Sequence, residues 1–191
     1  SVELAMKNNL VLQVLSSITK KRGTMIVDDK KLIEKEIVSG VSYSKNESKI
    51  TISGIPDKPG ISAQIFGLLA NKNINVDMIV QNISQDGVSA NITFTVPKNE
   101  INIAKQTLNS SINNLKFKSL KTDENISKIS VIGMGMMSQS GVAQKMFKTL
   151  ADNSINILAI STSEIKISVL INEKYTNVAV KSLHDAYNLK N

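Results

Sequence analysis

The chain repeats itself, and the repeat limits the folds open to it. With Gly60 set against Gly141, GISAQIFGLLANKNINV (60–76) runs in step with GVAQKMFKTLADNSINI (141–157). Phe66 meets Phe147, Leu69 meets Leu150, Ala70 meets Ala151, Ile74 meets Ile155 and Asn75 meets Asn156. Upstream, KITISG (49–54) matches KISVIG (128–133), and the loop before the aligned glycine is two residues longer in the second copy. Two copies of one supersecondary unit predict two similar small domains, not a single large enzyme core.

Within the first copy, residues 48–56 alternate apolar and polar as a half-buried strand does. Asp57-Lys58-Pro59-Gly60 breaks it, and Ile61, Ile65, Leu68 and Leu69 then share one helical face. A second strand is expected over 75–82, a turn at Asp86-Gly87, and a third strand over 88–96. Val88, Ala90, Ile92, Phe94 and Val96 should point inward there, with Ser89, Asn91, Thr93 and Thr95 outward to solvent. A helix over about 99–111 and a strand over 115–120 complete βαββαβ, the split βαβ of ferredoxin-like folds. The second copy follows with a strand at 126–133, a helix at 141–152, strands at 156–163 and 165–171, and a helix at 174–187. It lacks a fourth strand. The run Leu10–Leu15 belongs to neither copy and is expected to supply that strand, which would insert the first unit into the second. Residues 37–43 read as a further strand that Lys45-Asn46 turns back into Ile50, and 19–36 as a charged linker. Residues 1–8 read as the end of a helix, as in a fragment or shortened product of a longer chain. The expected division is 1–36 as the N-terminal segment, 37–122 as the first unit and 123–191 as the second.

Composition removes several functions. There is no cysteine, so neither a disulfide framework nor a thiolate metal site can form. His184 is the only histidine, so no Ser-His-Asp set can be assembled, and no cluster has metal-ligand spacing. Gly133-Met134-Gly135 lacks the third glycine of a dinucleotide fingerprint and the Gly-Lys-Ser/Thr of a P-loop, so packing or a tight turn explains it better. No apolar run approaches membrane length and no signal segment is present, which reads as a soluble, cytoplasmic protein. The net charge of +7 invites a nucleic-acid reading, but Arg22 is the only arginine and the lysines are scattered. The outward row of the third strand carries no aromatic platform on which bases could stack.

The best site candidate is the loop at the start of the first helix. The N–H groups of Ile61, Ser62 and Ala63 would point outward there and, with the helix dipole, attract a carboxylate. Gly60 admits a ligand close to the backbone. Asp57 either accepts a ligand ammonium group, which would suit an amino acid, or simply caps the helix.

The stretches KITISGIPDKPGISAQIFGLLANKNINVDMIVQN (49–82), ISTSEIKISVLI (160–171) and VSGVSYSKNESKIT (38–51) resemble the tandem ACT domains of aspartate kinases, in order and over essentially the whole chain. The resemblance implies an α+β fold of two ferredoxin-like ACT units, the first inserted into the second, with sheets joined side by side across a homodimer. It implies a regulatory chain controlled by L-lysine, L-threonine or both, acting on a catalytic aspartate kinase chain or domain. That kinase domain, with its ATP and magnesium, has no counterpart here, so no cofactor is expected in this chain, and nucleic acid and membrane are not expected as partners. Carried over by motif, the effector contacts are Asp57, Gly60, Ile61, Ser62, Ala63, Gln81 and Asn82, with Met78 and Ile79 as wall. Asn156 and Ile157 follow from the second unit of the partner chain, and Ser154 stands where many relatives have Asn. Leu158 and Ala159 depart from the usual acidic-apolar pair, and Met136–Gly141 lacks the usual His-Pro. Rival readings are an ACT-domain sensor of another enzyme, or a ferredoxin-like nucleic-acid-binding module.

Overall fold

The computed structural model describes residues 2–8, 10–19, 23–26, 37–84, 87–133 and 141–189. The chain divides into two compact units, Ser1–Lys35 and Glu36–Asn191. The first holds a short helix, α1 (Val2–Lys7), and a two-stranded antiparallel pair, β1 (Leu12–Val14) with β2 (Thr24–Ile26).

The second unit contains two sheets. In the first repeat β4 (Glu47–Pro56), α2 (Ile61–Ala70), β5 (Ile79–Ile83), β6 (Ser89–Pro97), α3 (Ile101–Ser110), the single turn α4 (Ile112–Leu115) and β7 (Ser119–Asp123) build an antiparallel sheet of order β5-β6-β4-β7. In the second, β8 (Ile126–Ile132), α5 (Val142–Asp152), β9 (Ile157–Thr162), β10 (Lys166–Asn172) and α6 (Thr176–Ala186) follow the same path. Its fourth strand is β3 (Gly40–Ser44), giving the order β3-β8-β10-β9. Both repeats are therefore ferredoxin-like and the first is inserted into the second.

The strand that closes the second sheet is not the one expected. Leu12–Val14 pairs with Thr24–Ile26, and Gly40–Ser44 pairs with β8 instead. Chain connectivity explains this. Two residues, Lys45 and Asn46, lead from β3 into β4, and two, Glu124 and Asn125, lead from β7 into β8. The chain thus leaves and re-enters the second sheet on adjacent strands, and short connections carry little closure entropy. Gly133 fits the same seam, because a Cβ there would meet the Ile37 carbonyl oxygen at 2.0 Å. Packing is its role.

Each sheet is covered by its own pair of helices. Ile50, Ile52, Ile65, Leu69, Ile92, Phe94 and Leu108 form one aliphatic core, with Phe66 edge-on to Phe94 at 5.4 Å. Ile129, Val131, Met146, Leu150, Val169, Ala179 and Leu183 form the other. Periodicity placed these inward positions correctly, Val88 excepted, which is 71% exposed beyond the end of β6. The outward row was misjudged. Thr95 is fully buried and Ser89 nearly so; Thr95 is bonded to Met78, which packs against the second repeat. A solvated face, or a stacking platform for bases, is excluded at Thr95. Residues 75–78, expected in the second strand, precede β5 and anchor the chain by Asp77 N–H to the Thr95 carbonyl (3.0 Å) and Thr95 N–H to the Met78 carbonyl (3.1 Å).

The repeats meet through Met78, Ile126 and Leu170, with Ala159 against them, and through two sets of charges. Lys128 on β8 reaches Glu47 at 2.6 Å and also Asp77. Burial lowers the Lys128 pKa, but the hydrogen bonds to Asp77 and Glu47 and their charges outweigh it, so the net direction is up. Lys98 bonds Glu173 at 2.7 Å, each being the first residue after the third strand of its repeat.

Candidate functional site

The loop 57–60 and the first turn of α2 form the candidate site. Gly60 sits at the N-cap in the left-handed region, φ 89°, and no side chain caps the helix. Gly141 holds the equivalent place before α5 with φ 98°, also without a side-chain cap. A Cβ on either glycine would meet nothing within 4 Å. Backbone conformation rather than crowding therefore selects glycine at both. Helical bonding begins with Gln64 N–H to the Gly60 carbonyl at 3.0 Å, and Ile61 N–H reaches the Lys58 carbonyl at 3.4 Å. The N–H groups of Ser62 and Ala63 are left facing outward at the positive end of the helix dipole. Asp57 is exposed and does not cap the helix, so of its two readings the cap is ruled out.

The expected contacts fall into separate groups. Gln81, on the helix side of edge strand β5, accepts a hydrogen bond at Oε1 from the Ser62 hydroxyl at 3.0 Å. That bond brings the strand to the helix start, and its signal in the sequence was only the pairing of two polar residues 19 positions apart. Ile79 shares the face of Gln81 and is 50% exposed. Asn82 faces the other way, because it lies opposite Asn91 rather than the core residue Ile92 that faces Gln81. Met78, expected as wall, is buried against the second repeat instead. Backbone alternation separates it from Ile79.

In the second repeat Ser154 is exposed in the left-handed region, φ 55°, with its N–H on the Ala151 carbonyl at 2.8 Å. Asn156 is exposed, and Ile157 opens β9 half-buried against the core. Among the described residues no hydrogen bond or ion pair links this group to Asp57, Ser62 or Gln81. The loop 134–140 lies outside the described residues. A feature unread in the sequence is Tyr187, whose hydroxyl donates to the Val142 carbonyl at 2.7 Å and so holds the first turn of α5. Burial pushes that phenol up to about 12, against a smaller lowering by a backbone hydrogen bond from Met146.

Among the described residues, edge strands β5 and β9 each have a neighbouring strand on one side alone. Ile79 (50% exposed) and Ile83 (61%) mark the first edge, and Leu158 (37%) and Ile160 (42%) the second. Among the described residues no group of three or more His, Asp or Glu side chains gathers to hold a metal ion, and no helix is long and apolar enough to cross a membrane. The arrangement offers amides for a carboxylate, a carboxylate for an ammonium group, and an open strand edge.

Comparison with known proteins shows the family of these domains. A profile of the ACT domain matches residues 48–112 and 129–187. An aspartate kinase of Pseudomonas fluorescens is 45% identical over 190 residues, covering 99% of this chain and 46% of the relative. An aspartokinase of Helicobacter pylori is 47% identical over 193 residues, covering 99% of this chain and 47% of its own length. The chain thus spans about half the length of the curated relatives it matches. Among solved structures, one of aspartokinase alpha and beta subunits is 44% identical with a TM-score of 0.75, covering 80% of this chain and 99% of that one. The ligand-free regulatory subunit of aspartate kinase from Thermus thermophilus is 34% identical with a TM-score of 0.74 and the same coverage.

Proposed function

Because this chain belongs to the aspartate kinases and carries their regulatory tandem ACT domains, we propose that it binds a feedback-inhibitor amino acid, L-lysine or L-threonine or both, and thereby controls an aspartate kinase catalytic chain or domain. The reaction so controlled is transfer of phosphate from ATP to the side-chain carboxylate of aspartate, on the route to lysine, threonine and methionine in the cytoplasm. ATP and magnesium belong to that catalytic part.

The observation that carries the reading is the start of α2. An uncapped helix N-terminus with the Gln81 side-chain amide held at it by Ser62, and an exposed carboxylate, match the two charged groups of an α-amino acid. Its carboxylate takes the Ser62 and Ala63 N–H groups and its ammonium group takes Asp57. Ser62 takes one of the two acceptor positions of Gln81 Oε1, so the other is open to the ammonium group and the Gln81 NH2 group to the carboxylate. Charge-assisted bonds of this kind contribute roughly 1.5–3 kcal/mol each.

The site is completed by a second copy of the chain. Ser154, Asn156 and Ile157 stand apart from Asp57 within one chain, and the exposed isoleucines of β5 and β9 suit edge-to-edge pairing of the first repeat with the second repeat of a partner. A ligand shared by two chains favours one dimer arrangement. It shifts kinase activity only as far as its affinities for the two arrangements differ.

Thermal unfolding of the full chain with L-lysine, L-threonine, both, and D-lysine tests this. Ligand at 100 times its dissociation constant adds about 2.7 kcal/mol. An upward shift with an L-amino acid and none with D-lysine supports the reading. No shift with any of them refutes amino-acid binding by this chain.

A further inference from the structure

The N-terminal unit is rich in apolar side chains that stand in solvent. Nine of the twenty exposed large apolar residues among the described ones lie within residues 2–26. They include Leu4 (67% exposed), Leu10 (62%) and Val14 (56%), while Ala5 is the one buried apolar residue described there. Apolar surface gathered at this density marks a contact face rather than a solvated one.

The pattern of the residues says what kind of contact. Strand alternation, carried through the residues flanking β1, puts Leu10, Leu12 and Val14 on one side and Val11, Gln13 and Leu15 on the other. Apolar residues on both sides belong to a strand buried on both faces, inside a larger sheet covered by helices. Here β1 has one neighbour, β2, among the described residues, and the described helix of the unit, α1, has six residues. A two-stranded pair of this kind is marginal by itself in water. The pair is nevertheless closely built, since a Cβ on Gly23 would meet the Val14 carbonyl oxygen at 1.8 Å. It is a well-made piece of a sheet whose remainder lies elsewhere.

The extent of the structural matches points to the same division. The Thermus thermophilus regulatory subunit matches 80% of this chain, about the size of the unit Glu36–Asn191 by itself. An aspartate kinase from Synechocystis, 32% identical with a TM-score of 0.79, matches 98% of this chain, which covers 34% of that larger protein. The full match is therefore found where much more chain is present.

We propose that residues 2–26 dock on the catalytic part of an aspartate kinase, β1 adding its free edge to a sheet of that part while apolar helices cover both faces of the β1–β2 pair. A second copy of this chain is a poor occupant, because it brings only another short pair and another six-residue helix. The assignment rests on the regulatory reading above and gives the two tasks to separate parts of the chain. Residues 36–191 sense the amino acid, and residues 2–26 hold the catalytic part.

The test co-expresses the full chain, tagged, with the part of the Helicobacter pylori aspartokinase that lies outside its match to this chain. The two should copurify in equal amounts, and hydrogen exchange at the β1 and β2 amides should slow at least tenfold in the complex. Val11→Lys and Val14→Lys, one on each face, should each lower the recovered partner roughly tenfold or more. Neither should move the melting midpoint of the free chain, because both side chains are already exposed. Ile83→Lys, on the edge of β5, should leave recovery unchanged. Failure of the soluble partner to copurify with the wild-type chain, recovery that survives both lysine variants, or conversion of a dimer to monomer by Val14→Lys in the chain alone each overturn the assignment. The melting shift with L-lysine or L-threonine, measured on the same chains, reports on the effector reading by itself, so failure of one is told from failure of the other.

Discussion

Lys128→Met should uncouple the two repeats. The methionine keeps the aliphatic stem and removes the ammonium group, leaving Glu47 and Asp77 facing each other without a cation. Their side chains are 12% and 52% exposed. Asp77 can turn to water, but Glu47 cannot. Breaking a fully buried ion pair costs 3–5 kcal/mol. With one carboxylate half in solvent the expected loss is about 2–4 kcal/mol. For a cooperative unit of this size that lowers the melting midpoint by roughly 4–16 °C. The companion variant is Glu47→Gln, which removes the buried charge but keeps a polar group. If the ions act as one set, Lys128→Met with Glu47→Gln is more stable than the sum of the single losses, with a coupling of about 1–3 kcal/mol. Denaturant unfolding of the four proteins, followed by circular dichroism, measures the cycle. Additive losses, or a Lys128→Met loss below about 0.5 kcal/mol, would show that the pair is surface decoration. Alkaline titration gives a second reading. The Lys128 pKa is raised above 10.5 in the folded chain, so its contribution is complete below that value and is lost as the pH climbs through the folded value. The Met variant should lack that alkaline loss.

Asp57→Ala should weaken amino-acid binding by roughly tenfold or more while leaving the melting midpoint of the free chain unchanged, as measured by calorimetric titration; unchanged affinity would remove Asp57 from the site. Gly60→Ala should cost about 1–2 kcal/mol through its left-handed backbone alone, visible in denaturant unfolding, since the added methyl meets nothing. Ile83→Lys on the edge of β5 should shift the chain toward monomer in sedimentation, because a charge on an edge strand blocks pairing. Tyr187→Phe should cost about 0.5–1.5 kcal/mol. The wild-type phenol is raised from 10.0 to about 12, so its contribution is full below pH 10.0, fades as the pH climbs toward 12, and is absent from the Phe variant at all pH values. Glu173 has its pKa lowered from 4.5 chiefly by the hydrogen bond from Lys98. Its contribution is present above pH 4.5 and lost on acidification, which Lys98→Met should abolish in an acid melt.

Much of this architecture was legible in the sequence, for a local reason. The alignment of Gly60 with Gly141, the alternation of Ile50 and Ile52, and the spacing of Ile61, Ile65 and Leu69 are short-range patterns that periodicity reports directly. The helix start was legible too, since a glycine before an apolar helix is chemistry visible within a few residues. Neighbours in the chain could not say which strand closes the second sheet. Residues 10–15 and 37–43 both read as strands, and the two short crossings between repeats decided for the latter, as Gly40–Ser44. Nor could they say that Thr95 is buried while Ile79 and Ile83 are half in solvent. Alternation assigns a face of a sheet, but what covers that face is a long-range matter. Thr95 is bonded to Met78, which packs against the second repeat, and among the described residues β5 has a neighbouring strand on one side alone. The Lys128–Glu47–Asp77 set joins residues 81 and 51 positions apart. Only packing of one repeat on the other brings them together and turns ordinary surface charges into a buried junction.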